Sequence, residues 1–576
     1  MKNLIIFFLL TLIFVQADAQ LNAYKYNNLK KITVQKGAVV SAHTLASDAG
    51  LQVLKQGGNA FDAAIATYFA LAVVYPGAGN LGGGGFMVAH TSKGKNIALD
   101  FREMAPANAN KDMYLDSAGN PIPNLSMEGP LASGVPGSVA GIFEMLKYAK
   151  LPLSTLISRA EVLAQKGFAL TASQALDFNN LKQSFLKNNK NPIAFIKNSP
   201  WKVGDILIQQ ELANTLWRIK KYGAKGFYEG ITATHIVNQM KNGNGIITLA
   251  DLKNYKVIKR EAMQFTYKNT EVVTMPLPSS GGIILQQLLT LTADRNLESR
   301  PFQSAASVQL ITEAERRVFA DRGAFLGDAD FVKVPVKTLV SKAYLDNRMA
   351  DYEATKAGNS KVMGAGVIKE SEQTTHISIV DNEGNAVSVT TTLNNHFGSR
   401  TLVSGAGFVL NNEMDDFSIK PGVPNMYGAI GNDKNAIAPG KRMLSSMTPT
   451  IVLKNNNPYI ILGTPGGTTI PTSVFQTIVN IVDYKMSAED AVNKPKFHHQ
   501  YLPDVIYIEN DFNENTKQQL IQMGYTLQNR GAIGRTEVIV IENEKKLLKP
   551  TSKTTLNYKV IHAVADKRGD DDARGF

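Results

Sequence analysis

"TTHISIVDNEGNAVSVTTT", residues 374–392, consists of two alternating segments around Asn382-Glu383-Gly384. A three-residue loop closed by glycine suits the left-handed position of a bulged hairpin turn, so the stretch predicts two antiparallel strands. Setting Asp381 opposite Asn385 fixes the register and pairs Thr374 with Thr392, His376 with Thr390, and Ser378 with Ser388. All six lie on one face. The other face carries Ile377, Ile379, Val387 and Val389, so the apolar side belongs on a core and the hydroxyl side faces something polar. Threonine favours strands, and a half-exposed sheet explains such a pattern without any chemistry. The chemical alternative is that one hydroxyl is a nucleophile and its cross-strand neighbour holds its proton in place. A threonine in mid-chain has no attached base. At a chain N-terminus it carries its own amine, whose pKa of about 7.7–8.0 suits a general base. That chemistry requires a cut before Thr374.

A chain of 576 residues favours about three or four domains on length alone. Apolar content of 44% and charged content of 19% exclude wholesale disorder. The absence of cysteine excludes disulfides and a thiol nucleophile. The net charge of +12 comes from Lys and Arg scattered among Asp and Glu, which describes a basic solvated surface and not a nucleic-acid partner. At the start, "MKNLIIFFLLTLIFVQADAQ" places Lys2 before an apolar run and ends in small residues. Residues 1–19 therefore read as a signal peptide, with export to a periplasm or the exterior and no integral membrane segment after its removal.

From Gly37 to Val74 the pattern predicts a strand and two buried helices, with Gly57-Gly58-Asn59 ending the first and Asp62 opening the second. The four glycines of "GNLGGGGFMVAH" lack the residues of a phosphate loop and point to close backbone packing. Residues 151–254 have mostly helical spacing, and "PLPSSGGIILQQLLTLTADRNL" is a loop, a glycine pair and a helix. After Thr374 come alternating strands such as "TPTIVLK" and "PYIILG". The tail "DKRGDDDARGF" reads as charged and of low complexity. An α-rich first part and a β-rich second part without a linker indicate layers of one sandwich.

The segments "TTHISIV", "NNEMDDFS", "KPGVPNMYG", "MLSSMTPT", "GTPGGT" and "FHHQYLPD", with "LGGGGFMVAH", "LDFREMAP" and "VPGSVAG" upstream, resemble in order and spacing those of the gamma-glutamyltransferases. The resemblance covers nearly all of the chain after residue 19. It implies an α+β fold, a four-layer αββα sandwich of the N-terminal-nucleophile hydrolases. It also implies a precursor that cuts itself at Gln373-Thr374 into a large subunit, 20–373, and a small catalytic subunit, 374–576, which stay together as a heterodimer.

By the same resemblance Thr374 is the nucleophile, Thr392 hydrogen-bonds it, and Gly466 and Gly467 form the oxyanion hole. Arg102 binds the substrate α-carboxylate with Ser445 and Ser446; Asp416 binds the ammonium, with Asn394 and Glu413 beside it. Read alone, Arg102 between Asp100 and Glu103 would be a surface ion pair. Tyr427 belongs to a lid loop. Glu413 stands where some members carry Gln, Met443 stands where proline is frequent, and His376 is a packed strand residue. The implied donors are glutathione and other gamma-glutamyl compounds, and the acceptors are water, amino acids or peptides. No metal or organic cofactor is implied. The alternatives are a β-lactam acylase of the same superfamily and a non-catalytic exported binding protein.

Overall fold

The computed structural model describes residues 20–363, 374–420, 433–547 and 555–576. The signal-like stretch 1–19, Gln373 and Tyr427 lie outside the described residues.

Two seven-stranded sheets form the centre of the molecule. In the first, the order is Asp572–Gly575, Ala38–Ser41, Thr374–Val380, Ala386–Thr392, Gly84–His90, Asn96–Asp100 and Ile258–Arg260. In the second it is Lys31–Val34, Thr555–Val564, Glu537–Leu547, Asn457–Gly463, Thr450–Lys454, Thr270–Thr274 and Met263–Tyr267. The hairpin register is the one expected, with Thr374 opposite Thr392, His376 opposite Thr390 and Ser378 opposite Ser388. Gly384 sits at φ +92°, the left-handed position that the turn requires.

Alternation along the strands builds three cores. Ile377, Ile379, Val387 and Val389 are buried with residues of the helices Thr44–Lys55 and Ala60–Val74. Val40, Phe86 and Val88 of the first sheet meet Val273, Ile451, Ile461 and Ile539 of the second. The outer face of the second sheet, including Val272, Val452 and Leu462, is covered by Gly281–Ala293, Ala305–Phe325 and Thr469–Val482. The layers therefore run helix, sheet, sheet, helix, as the αββα expectation requires. Each fully buried aliphatic side chain contributes roughly 1.5–3 kcal/mol relative to exposure.

The hydroxyl face of the hairpin does not meet solvent, because both strands are buried along their whole length. It meets the backbone of the second sheet. Ser388 Oγ donates to the Leu462 carbonyl and accepts from the Thr450 N–H, both at 3.0 Å. Ser378 Oγ lies 3.3 Å and 3.1 Å from the carbonyls of Ile461 and Glu537. His376 Nδ1 is 2.9 Å from Thr390 Oγ1, and burial lowers its pKa to about 3, so it is a neutral packed residue. Burial of both strands at every position excludes a half-exposed sheet.

The glycine run also packs as expected. A Cβ at Gly83 would lie 2.1 Å from the Thr392 carbonyl oxygen, and one at Gly85 2.3 Å from that of Thr390. The second helix is capped by Asn59 and Asp62 in a reciprocal box.

The C-terminal tail differs from its sequence reading. Asp572–Gly575 is a strand on the edge of the first sheet, and Asp571 and Asp572 are fully buried. Lys30 Nζ donates to the carbonyls of Asp566, Gly569 and Asp571 at 3.0, 2.7 and 2.7 Å. The tail is fastened by Leu29 and Lys30, more than 500 positions away, which a local pattern cannot reveal.

Length also misled. Thr374–Val380 is paired between Ala38–Ser41 and Ala386–Thr392, so strands from before and after residue 374 interleave in one unit. No helix among the described residues is long and apolar enough to cross a membrane.

Candidate active site

Thr374 and Thr392 face each other at the end of the central hairpin, 5% and 3% exposed. Asn394, at φ +72°, turns its N–H onto Thr392 Oγ1 at 2.8 Å. Asn80 fastens the same end. Its Nδ2 donates to the Thr392 carbonyl at 2.9 Å and to Thr391 Oγ1 at 3.1 Å, while its Oδ1 accepts the Gly83 N–H at 3.0 Å.

Sheet pairing brings the ionic groups to this end. Gly84 pairs with Thr392, and the Phe101 N–H donates to the Gly85 carbonyl at 3.0 Å, so Arg102 and Glu103 follow directly. A Cβ on Gly84 would come within 2.7 Å of Glu103 Oε2. From the other side, the Asn412 N–H donates to the Leu393 carbonyl at 3.0 Å, and Asn394 Nδ2 donates to the Asn412 carbonyl at 3.1 Å. These bonds deliver the short turn Glu413–Asp416.

Arg102 is 1% exposed and is not a surface ion pair. Its Nη1 lies 2.6 Å from Glu413 Oε2 and 3.6 Å from Glu103 Oε2, and its Nη2 donates to Asp416 Oδ2. Burial opposes the charge, yet Glu413, Asp416 and Glu103 together raise the pKa of Arg102 above the ordinary arginine value. Asp416 Oδ1 has no hydrogen-bond partner among the described residues. The carbonyls of Met443 and Leu444 receive Arg102 Nε and Nη2 at 3.5 and 3.4 Å, so the residue at 443 contributes through its backbone.

Ser445 and Ser446 follow at once in the chain. The Ser445 carbonyl accepts from the N–H and the Oγ of Ser280, each at 2.7 Å. Ser446 Oγ accepts from Arg322 Nη2 at 3.1 Å, and Arg322 Nε donates to Ser280 Oγ at 2.8 Å. Burial lowers the Arg322 pKa while Asp416 acts in the opposite sense; the guanidinium remains cationic at neutral pH.

Gly466 and Gly467 have φ of +137° and +58° and precede the helix Thr469–Val482. Their loop leaves the strand Asn457–Gly463 at Gly463, where an added Cβ would lie 2.3 Å from His376 Cε1, two residues along from Thr374. One end of the sandwich thus gathers a hydroxyl pair, a glycine turn, a guanidinium and several carboxylates.

A family model described as Gamma-glutamyltranspeptidase matches residues 46–576. The chain belongs to the gamma-glutamyltranspeptidase family. It is 43% identical over 521 residues to a glutathione hydrolase proenzyme of Escherichia coli strain K12, covering 90% of each chain. The crystal structure of Helicobacter pylori gamma-glutamyltranspeptidase superimposes with a TM-score of 0.55 at 44% identity, over 56% of this chain and 93% of that one. A cephalosporin acylase from Bacillus halodurans shares the fold, with a TM-score of 0.80 at 24% identity over 98% of this chain and 99% of that one.

Around the threonine pair of this gamma-glutamyltranspeptidase, sequence reasoning missed Asn80, Glu103 as a buried group, and Arg322. Asn80 stood beside a glycine run whose packing role explained the whole stretch. Arg322 lies in a 21-residue helix, where an arginine reads as solvated.

Glu103 yields a pH prediction. It is fully buried, neither carboxylate oxygen has a hydrogen-bond partner among the described residues, and burial, opposed by Arg102, raises its pKa from 4.5 to about 8. A carboxyl raised on folding adds stability that is fully present below its unfolded value and is lost as pH rises through the folded value. Wild-type protein should therefore lose thermal stability progressively between about pH 5 and pH 8, and little more above that, relative to Glu103→Gln, which cannot ionise there. Melting curves of the two proteins across that interval make the comparison, and parallel curves would remove Glu103 as the titrating group.

Proposed function

We propose that this gamma-glutamyltranspeptidase is an exported gamma-glutamyltransferase and glutathione hydrolase. It matures by cutting itself between Gln373 and Thr374 into large and small subunits, 20–373 and 374–576. The observation that carries the reading is the Arg102–Asp416 pair, a buried cation and anion beside the threonine pair. An amino-acid head group brings both complementary charges. Its α-carboxylate takes Arg102, helped by Ser445 and Ser446, and its ammonium takes Asp416, with Glu413 and Asn394 beside it. A β-lactam acyl group would leave this pair unused.

In the proposed reaction Thr374 Oγ attacks the γ-amide carbonyl and its own α-amine takes the hydroxyl proton. The N–H groups of Gly466 and Gly467 receive the developing oxyanion. The C–N bond breaks, the amine returns the proton to the leaving nitrogen, and a gamma-glutamyl ester remains on Thr374. Water then releases glutamate, or an amino acid or peptide amine accepts the group. Thr392 orients the nucleophile from across the strand pair.

Turnover of glutathione and of gamma-glutamyl-p-nitroanilide, with and without a dipeptide acceptor, tests the proposal; a mature protein inactive on both would refute it. Each charge-assisted contact to the head group should contribute roughly 1.5–3 kcal/mol. Asp416→Ala is therefore expected to lower kcat/KM for gamma-glutamyl donors about ten- to a hundredfold or more. Unchanged constants in steady-state kinetics would take Asp416 out of the site.

A further inference from the structure

Arg322 is 2% exposed, lies in the helix Ala305–Phe325 and has no part in the reaction proposed above. Its Nη2 donates to Ser446 Oγ at 3.1 Å and its Nε to Ser280 Oγ at 2.8 Å. Ser280 Oγ in turn donates to the Ser445 carbonyl at 2.7 Å, so one guanidinium fork serves both members of the serine pair. On the other flank, Arg102 donates to the carbonyls of Met443 and Leu444. The two arginines bracket residues 443–446.

The direction of these bonds decides what the serines can bind. A guanidinium only donates, and a serine hydroxyl has one hydrogen and two lone pairs. Ser446 Oγ therefore accepts from Arg322, and its own hydrogen points away from that side chain. Ser445 Oγ also accepts, from the Met447 N–H at 3.2 Å. Both serines are 2% exposed, and neither hydroxyl hydrogen has an acceptor among the described residues. A buried hydroxyl hydrogen without an acceptor costs free energy, and a carboxylate, which only accepts, supplies one for both.

We infer that Arg322 is a positioning residue for the head group: without touching substrate, it holds the Ser446 hydroxyl as a hydrogen-bond donor to the α-carboxylate. The inference rests on the function proposed above. A serine hydroxyl with no fixed partner rotates and serves donors and acceptors alike, whereas one held by Arg322 is set to donate. Lysine lacks the rigid fork that reaches Ser280 and Ser446 together, so it is only a partial substitute. Ser280 and Arg322 precede residue 374 and Ser446 follows it. The large subunit of the proposed mature protein would thus set the hydrogen-bond direction of a group on the small one.

The test is a double-mutant cycle with Arg322→Met, Ser446→Ala and the double variant, read as KM for gamma-glutamyl-p-nitroanilide and as the inhibition constant of L-glutamate. Each single change should raise both constants about tenfold or more, the scale of one charge-assisted contact, with kcat changed less. In the Ser446→Ala background most of the Arg322→Met effect should vanish, because the group it acts through is gone. Arg322→Lys keeps the charge and should recover part of the loss; it also carries the same cycle if the methionine variant fails to mature. A merely structural role would lower thermal stability and kcat, and would act at full size with or without the Ser446 hydroxyl. Equal effects in the two backgrounds, or unchanged constants in the Arg322 variants, overturn the inference. Wild-type turnover separates this failure from the larger one. A wild-type protein that releases nitroaniline but gives an additive cycle loses only the Arg322 assignment, whereas one that releases none loses the proposed function and this inference with it.

Discussion

Thr374→Ala is expected to remain a single uncut chain and to turn over no gamma-glutamyl donor. Self-cleavage and catalysis draw on the same oxygen, and the amine that serves as base exists only after the cut. Loss of a hydroxyl nucleophile costs on the order of 10⁴–10⁶ in turnover where the nucleophile and base act as a unit. The substitution is mild for the fold. Thr374 is the first residue of its strand, 5% exposed, and its side chain ends the hairpin without interrupting the ladder. Gel analysis, nitroaniline release and a melting curve separate the outcomes. An alanine variant that still appears as two chains and turns over substrate would move the nucleophile elsewhere, and Thr374→Ser should retain measurable maturation.

Thr392→Val is the second large effect. Valine is nearly isosteric with threonine and favours strands, so the change tests the hydroxyl. Thr392 lies directly opposite Thr374, and its Oγ1 accepts the Asn394 N–H at 2.8 Å. Removing it leaves a buried N–H without that acceptor, which costs about 1–3 kcal/mol of stability. Catalysis should suffer more. Slower maturation and a turnover loss of about 10² or more follow if the hydroxyl assists as a positioned proton partner does. Thr392→Ser should recover most of the activity. A valine variant that matures and turns over at the wild-type rate would leave the two threonines as strand residues only.

These two predictions come from the part of the molecule that is most legible in sequence. Strand alternation has a period of two, and Gly384 sets the loop, so the pairing of Thr374 with Thr392 follows from nineteen consecutive residues. The glycine run was equally local, because a missing Cβ is informative wherever two backbones meet. Groups whose partners are distant were not legible. Arg102 looked like a surface arginine beside Asp100 and Glu103, yet Glu413 and Asp416, some 300 positions later, surround it in the core. Asn80 reaches Thr392 across 312 positions, and Arg322 reaches Ser446 across 124. The charged tail was misread for the same reason, since Leu29 and Lys30, which fasten it into the sheet, are at the other end of the chain. The domain count failed because strands from the whole chain share two sheets, so no boundary falls between cores.

The central claim is that Thr374 is the N-terminal residue of a catalytic chain made by self-cleavage. Intact-mass measurement of the purified wild-type protein, with N-terminal sequencing of each polypeptide, tests it most directly. The expected result is two polypeptides that co-purify, the smaller beginning at Thr374. A single uncut chain that hydrolyses glutathione, or a smaller chain that begins at any other residue, would contradict it.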